Sequence, residues 1–153
     1  MKTRRIALVG AVLAFALIVV GCGDDDDTST VALTKAQFVK EGNAICKAGN
    51  EEINSEFEKF ADENNVNQRK QPTDAQLEEI AEEFLLPSIS EQIEEVRALG
   101  APEGEEDAVN AFLDNAEAEV EEIEGDPSLL AEDTFVEVNK EARALGLTAC
   151  SEE

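Results

Sequence analysis

Three cysteines, Cys22, Cys46 and Cys150, are the side chains of this sequence best suited to covalent chemistry. A thiol can take up a lipid, bind a metal or close a disulfide, depending on its surroundings. No Cys-x-x-Cys pair occurs, which sets aside a redox motif. The chain contains no His, Trp or Tyr. Without His, Ser-His-Asp and Cys-His nucleophile systems are excluded, as are His-containing zinc sites and Glu-x-x-His di-iron sites. No Gly-x-Gly-x-x-Gly or P-loop stretch is present to hold a nucleotide. Carboxylates alone could run glycosidase-type acid–base chemistry. Such enzymes usually grip sugars with aromatic rings, and the aromatics here are seven Phe. The sequence therefore reads as a non-enzyme, with no catalytic residue, metal-ligand set or cofactor assigned.

Charge sharpens the exclusion. Twelve basic residues face 36 acidic ones, for a formal net charge of −24. Residues 1–21 hold Lys2, Arg4 and Arg5 and no acid, so every acid lies beyond them. Binding to nucleic-acid phosphates rests on Lys and Arg, and a surface of this sign repels them. Nucleic acid is not an expected partner.

The elements that must position the cysteines begin with "MKTRRIALVGAVLAFALIVVGC". A basic start, the apolar run Ile6–Val20 and the small Gly21 form the three-part layout of an export signal. The apolar run is shorter than the ~20 residues that a spanning helix needs. Val19, Val20, Gly21 and Cys22 resemble the lipobox of bacterial lipoproteins. That resemblance implies cleavage before Cys22 and a diacylglycerol on its thiol. The alternatives are ordinary cleavage after Gly21, or an uncleaved anchor with Cys22 incidental. Residues 22–32, beginning "CGDDDDTST", read as the lipidated cysteine followed by a disordered acidic tether. The aspartate run lacks the spacing of a calcium-binding loop.

Residues 33–153 read as an all-α domain: an up-down-up-down four-helix bundle. The first helix, Thr34 to Asn64, opens on a capping box (Thr34, Gln37) with Leu33 and Phe38 as a staple. Its inward stripe is Phe38, Gly42, Ile45/Cys46, Gly49, Ile53, Phe57 and Phe60. Gly42 and Gly49 suggest close approach of a neighbouring helix, with a ligand niche as the alternative. The second helix repeats the capping box at Thr73 and Gln76, and Pro87 within its apolar stripe predicts a kink or break near Leu85–Ser88. Gly100 and Pro102 end it. The third runs from about Glu105 to Glu124. The fourth, Thr134 to Leu145, is expected to open on a box of Thr134 and Glu137 and to bury Phe135, Val138, Ala142 and Leu145.

If Cys22 carries lipid, Cys46 and Cys150 remain as an even pair in an exported chain, which predicts one disulfide. The alternative is two unrelated thiols, one buried and one reactive. The layout as a whole is similar to that of small lipoproteins of unassigned activity from high-GC Gram-positive bacteria. The matching stretches are the lipobox, the acidic spacer, "FVKEGNAIC", "LLPSISEQIEEVRALGAP" and a cysteine near the C-terminus. This resemblance implies export and fold and is silent on activity.

Like-charge pairs such as Glu78 with Glu82 and Glu117 with Glu121 weaken the helices that carry them. Solubility at a crowded cell surface accounts for them, and diffuse binding of divalent cations or a basic partner is the alternative. The expected protein is a lipid-anchored, non-catalytic interaction or structural module on the outer face of a bacterial cytoplasmic membrane. It would be held by its N-terminal lipid and would meet an envelope protein. The alternative is a cell-surface binding protein for a small ligand or divalent cation. Oligomeric state is not set by the sequence.

Overall fold

The computed structural model describes residues 33–67, 69–131 and 134–151. The segments expected to be an export signal and an acidic tether, with Cys22 between them, lie outside the described residues. Among the described residues the chain is helical and contains no strand, only an isolated bridge between Asn67 and Lys70. No described helix is long and apolar enough to cross a membrane.

Helix α1 spans Lys35–Asn64. Thr34 and Gln37 form the expected capping box, satisfying amides that the first turn leaves without intrahelical partners. Asn65 ends the helix in the left-handed conformation at φ 55°. Helix α2, Asp74–Ile80, starts at the second capping box, Thr73 with Gln76. A π-helical turn, Ala81–Leu85, leads directly into α3, Leu86–Ala98. Pro87 thus sits in the first turn of α3, where its missing N–H is tolerated. The helix is not broken at Pro87: the irregularity lies upstream, and the Leu86 amide reaches back to the Ala81 carbonyl.

Helix α4 is Glu106–Gly125, and its inward line of Val109, Phe112, Leu113, Ala116, Val120 and Ile123 is buried as the spacing predicts. A 3₁₀ turn, Pro127–Ala131, follows. The connection that reads as plain loop in the sequence therefore carries structure, and its Leu129 and Leu130 pack on the core. Helix α5 is Val136–Leu145.

The third capping box does not form. Phe135 is the N-cap of α5, at φ 63°, with no side-chain cap. Glu137 instead accepts a hydrogen bond from Lys140 Nζ at 2.9 Å, which holds that ammonium's pKa above its ordinary value. The physical reason is the core. Turning Phe135 into the left-handed region packs its ring against the buried cluster, and that burial outweighs the strain.

The core gathers faces of α1, α3, α4 and α5, with α1 against α3, α3 against α4, and α4 against α5. Three ion pairs link neighbours on the outside. Arg97 of α3 reaches Asp114 and Glu117 of α4 at 3.3 and 2.8 Å, and Lys35 of α1 reaches Glu105 before α4 at 2.6 Å. All three are open to solvent, so each adds little stability.

Phe57 departs from its expected place. It is 40% exposed, whereas Phe38, Cys46 and Phe60 on the same helix are buried. At about 100° per residue, Phe57 continues the side of α1 that carries Asn43, Cys46 and Asn50. Residues 146–151 cover that side as far as Asn50, and Phe57 lies two turns beyond.

Candidate functional site

The sequence-predicted bridge is present: Cys46 of α1 and Cys150 are disulfide-bonded, their Cα atoms 4.9 Å apart across 104 sequence positions. It belongs to a larger clasp. Asn43 and Asn50 stand one turn either side of Cys46 on α1. Asn43 donates through Nδ2 to the Gly146 carbonyl at 2.9 Å, and its Oδ1 accepts from the Ala149 amide at 2.7 Å. Asn50 Nδ2 donates to the Ala149 carbonyl at 2.8 Å. These bonds satisfy part-buried backbone groups at Gly146 and Ala149, the second within a 3₁₀ turn, Thr148–Ser151.

Gly146 makes the turn into this clasp. At φ 86° it ends α5, its amide bonding to Arg143 and the following Leu147 amide to Ala142. Leu147 is then driven fully into the core, over Gly42. A Cβ at Gly42 would stand 2.6 Å from Leu147 Cδ2. The close approach expected at Gly42 is real, but it is made by the segment after α5 and not by a neighbouring helix. At Gly49 the approaching group is the Gln92 side chain of α3. Gly42→Ala is therefore expected to lower stability by about 1 kcal/mol. Overpacking Leu147 outweighs the gain in helix propensity. Thermal melting of the variant beside Gly125→Ala, where a Cβ meets nothing within 4 Å, checks this.

The structure also opens a half-enclosed cavity of about 420 Å³ between α1, α3, α4 and α5. Ile53, Leu85 and Ile89 line one wall, Phe112, Leu113 and Ala116 another, and Leu130, Phe135 and Val138 a third. The disulfide forms part of the end wall, through Cys46 and Cys150. Polar side chains are few: Asn50, Asn54, Gln92, Thr134 and Asn139. Among the described residues that line it, none is charged. Leu85, the last residue of the π-turn, faces this space, and so does the ring held by the strained Phe135.

Comparison with known proteins gives no relative. No family model, curated protein or solved structure matches the chain. The site must speak through its own chemistry.

Size and lining place the cavity within the range of small-molecule sites, roughly 300–1,000 Å³, mostly apolar with a few oriented polar groups. Gly42, Gly49 and Pro87, the positions where the sequence suggested a niche or a bend, do not line it. Pro87 borders a second, smaller groove with Glu83, Phe84 and Glu91. Sequence reasoning missed Asn43, Asn50 and Asn139. Asn43 and Asn50 flank Cys46 at helical spacing in "NAICKAGN", a pattern that would have marked the clasp. Asn139 breaks the polar-outward rule inside α5, which was its signal. Among the described residues no group of three or more Asp, Glu or Cys side chains is placed to hold a metal ion.

Proposed function

We propose that this protein is a lipid-anchored, extracytoplasmic binding protein that takes up a small apolar molecule in the cavity between α1, α3, α4 and α5. The observation that carries the proposal is the cavity itself: half-open, apolar, and free of charge among its described lining residues in a chain of net charge −24. A half-open apolar recess leaves apolar surface unpacked and within reach of water, and an apolar ligand would recover the burial it forgoes. The lipobox resemblance at Val19–Cys22 supports the anchor, and the Cys46–Cys150 bridge suits an oxidising compartment.

The same reading takes α1, the run Asp74–Ala98, α4 and α5 as an up-down-up-down four-helix bundle. The second of its helices is bent at the π-turn before Pro87. Contacts between successive helices support that topology. A bend at Ala81–Leu85 would splay α2 from α3 and account for the room beside Leu85. A second reading, an interaction module for an envelope protein, is favoured by exposed Phe57, one turn along α1 from Ile53 of the Pro87 groove. Both Ile53 and Pro87 border that groove.

The test uses the full chain in phosphatidylcholine vesicles and an uncharged alkyl diazirine, with labelled residues read by mass spectrometry. Saturable labelling of cavity residues such as Ile89 and Phe112 is expected. Ala116→Leu, which fills the cavity, and Asn54→Trp, which obstructs its rim, are each expected to cut that labelling about tenfold. Tenfold corresponds to a loss of ~1.4 kcal/mol of binding. Labelling spread over the surface and unchanged by both substitutions would overturn the proposal in favour of the interaction module.

A further inference from the structure

Resting on the binding reading above, we infer that the cavity selects an uncharged single-chain amphiphile, whose amide or hydroxyl head group is read by Asn139. Asn139 lies on α5, one position after Val138, and both are buried cavity-lining residues. Its exposure is 9%, rare for a primary amide within a helix. Its backbone is satisfied, the amide N–H bonding to the Phe135 carbonyl at 2.7 Å. No hydrogen bond to its carboxamide is made by the described residues, yet no fully enclosed side-chain polar atom among them lacks a partner. The two facts agree if the carboxamide meets the cavity space. A carboxamide that faces cavity space can be hydrogen-bonded by water there, and a ligand carrying both a donor and an acceptor can take the place of that water.

The other polar groups have the same character. Gln92 is in marginal contact with Ser88 Oγ at 3.5 Å, and its side chain lies across Gly49 towards α1. Asn54 lines the cavity from α1. Carboxamides donate and accept equally, so they match an amide, alcohol or ester and give no preference for an ion. A carboxylate head would meet no cation among the described lining residues, inside a protein field of negative sign. An ammonium would meet no anion among them. Volume completes the description: about 420 Å³ lies toward the lower end of ligand cavities, suited to one chain rather than the paired chains of a bilayer lipid.

The experiment compares four diazirine-bearing alkyl probes of one chain length, ending in a primary amide, an alcohol, a carboxylate or an ammonium. A fifth probe with no head group serves as reference. Full-length chain in phosphatidylcholine vesicles is photolabelled at matched vesicle-bound probe concentrations, and half-saturation at cavity residues is read by mass spectrometry. The amide and alcohol are expected to half-saturate at about tenfold lower concentration than either ion. Asn139→Leu should abolish that advantage while the headless probe still labels the cavity. Asn139→Asp, nearly the same size, should shift preference to the ammonium. Equal half-saturation by all four head groups, or an advantage that survives both substitutions, would overturn head-group selection by Asn139. The headless probe keeps the readings apart. If it labels the cavity, binding stands whatever the head groups show; if it does not, the binding reading falls first.

Discussion

Replacing Cys46 and Cys150 together by Ser is expected to lower the melting midpoint by on the order of 15 °C. The bridge spans 104 sequence positions. For a loop of that length the chain-entropy model gives about 4.7 kcal/mol. At a few degrees per kcal/mol for a domain of this size, the shift follows. The loss should fall unevenly. Helix α5 has ten residues, and α1 has thirty. Without the bridge, residues 146–151 keep the Gly146 and Leu147 amide bonds to α5, the Asn43 and Asn50 bonds, the bond from Arg143 to the Ser151 carbonyl, and the burial of Leu147 over Gly42. Amide exchange in α5 and the segment after it should therefore accelerate far more than in α3 and α4. The cavity loses part of its end wall in the same step, so probe uptake in the double variant should fall along with α5 protection. A midpoint shift of under about 3 °C, with α5 protection unchanged, would show that the asparagine clasp holds the segment unaided.

What the sequence disclosed and what it withheld divide along a physical line. Patterns set by neighbours along the chain were legible. The capping boxes at Thr34 and Thr73, the buried line of α4 and the end of the last helix at Leu145 all depend on residues within a turn or two. The cysteine pairing was legible for a different reason, since setting Cys22 aside as the expected lipid acceptor leaves each of the other two one partner. Features decided by distant residues were not. The box at Thr134 failed because the ring of Phe135 gains more from the core than the helix start gains from a cap. Phe57 follows the helical stripe in sequence, but whether it is covered depends on how far the segment after α5 extends along α1. Leu147 lies outside the periodic part of its helix, and only the turn at Gly146 sends it inward. The cavity is the extreme case, because its walls come from four helices, a π-turn and a connection, and no local window contains them. Gly42 and Gly49 did announce close approach, but sequence could not say by what.

Substituting Cys22 by Ala is expected to convert a membrane-held chain into a released one. In the proposed protein the mature N-terminus is Cys22 carrying acyl chains, and each buried methylene contributes about 0.8 kcal/mol to membrane binding. One chain of ordinary length gives only marginal, reversible attachment, whereas two or more hold firmly. No described helix is long and apolar enough to cross a membrane in its place. The acidic surface adds repulsion from anionic headgroups. With Ala at position 22 the lipid acceptor is gone, while Gly21 still offers a small residue at which ordinary signal cleavage can act. Cell fractionation should then move the protein from the membrane to the medium. Mass spectrometry should show the wild-type N-terminal peptide with acyl mass and the variant peptide without it. Retention of the variant at full-length mass would mean that the apolar run Ile6–Val20 is itself the anchor. Wild-type membrane protein beginning at an unmodified Cys22 would remove the lipid altogether. Because probe uptake in vesicles reads the cavity and fractionation reads the anchor, each half of the proposed function stands or falls on its own measurement.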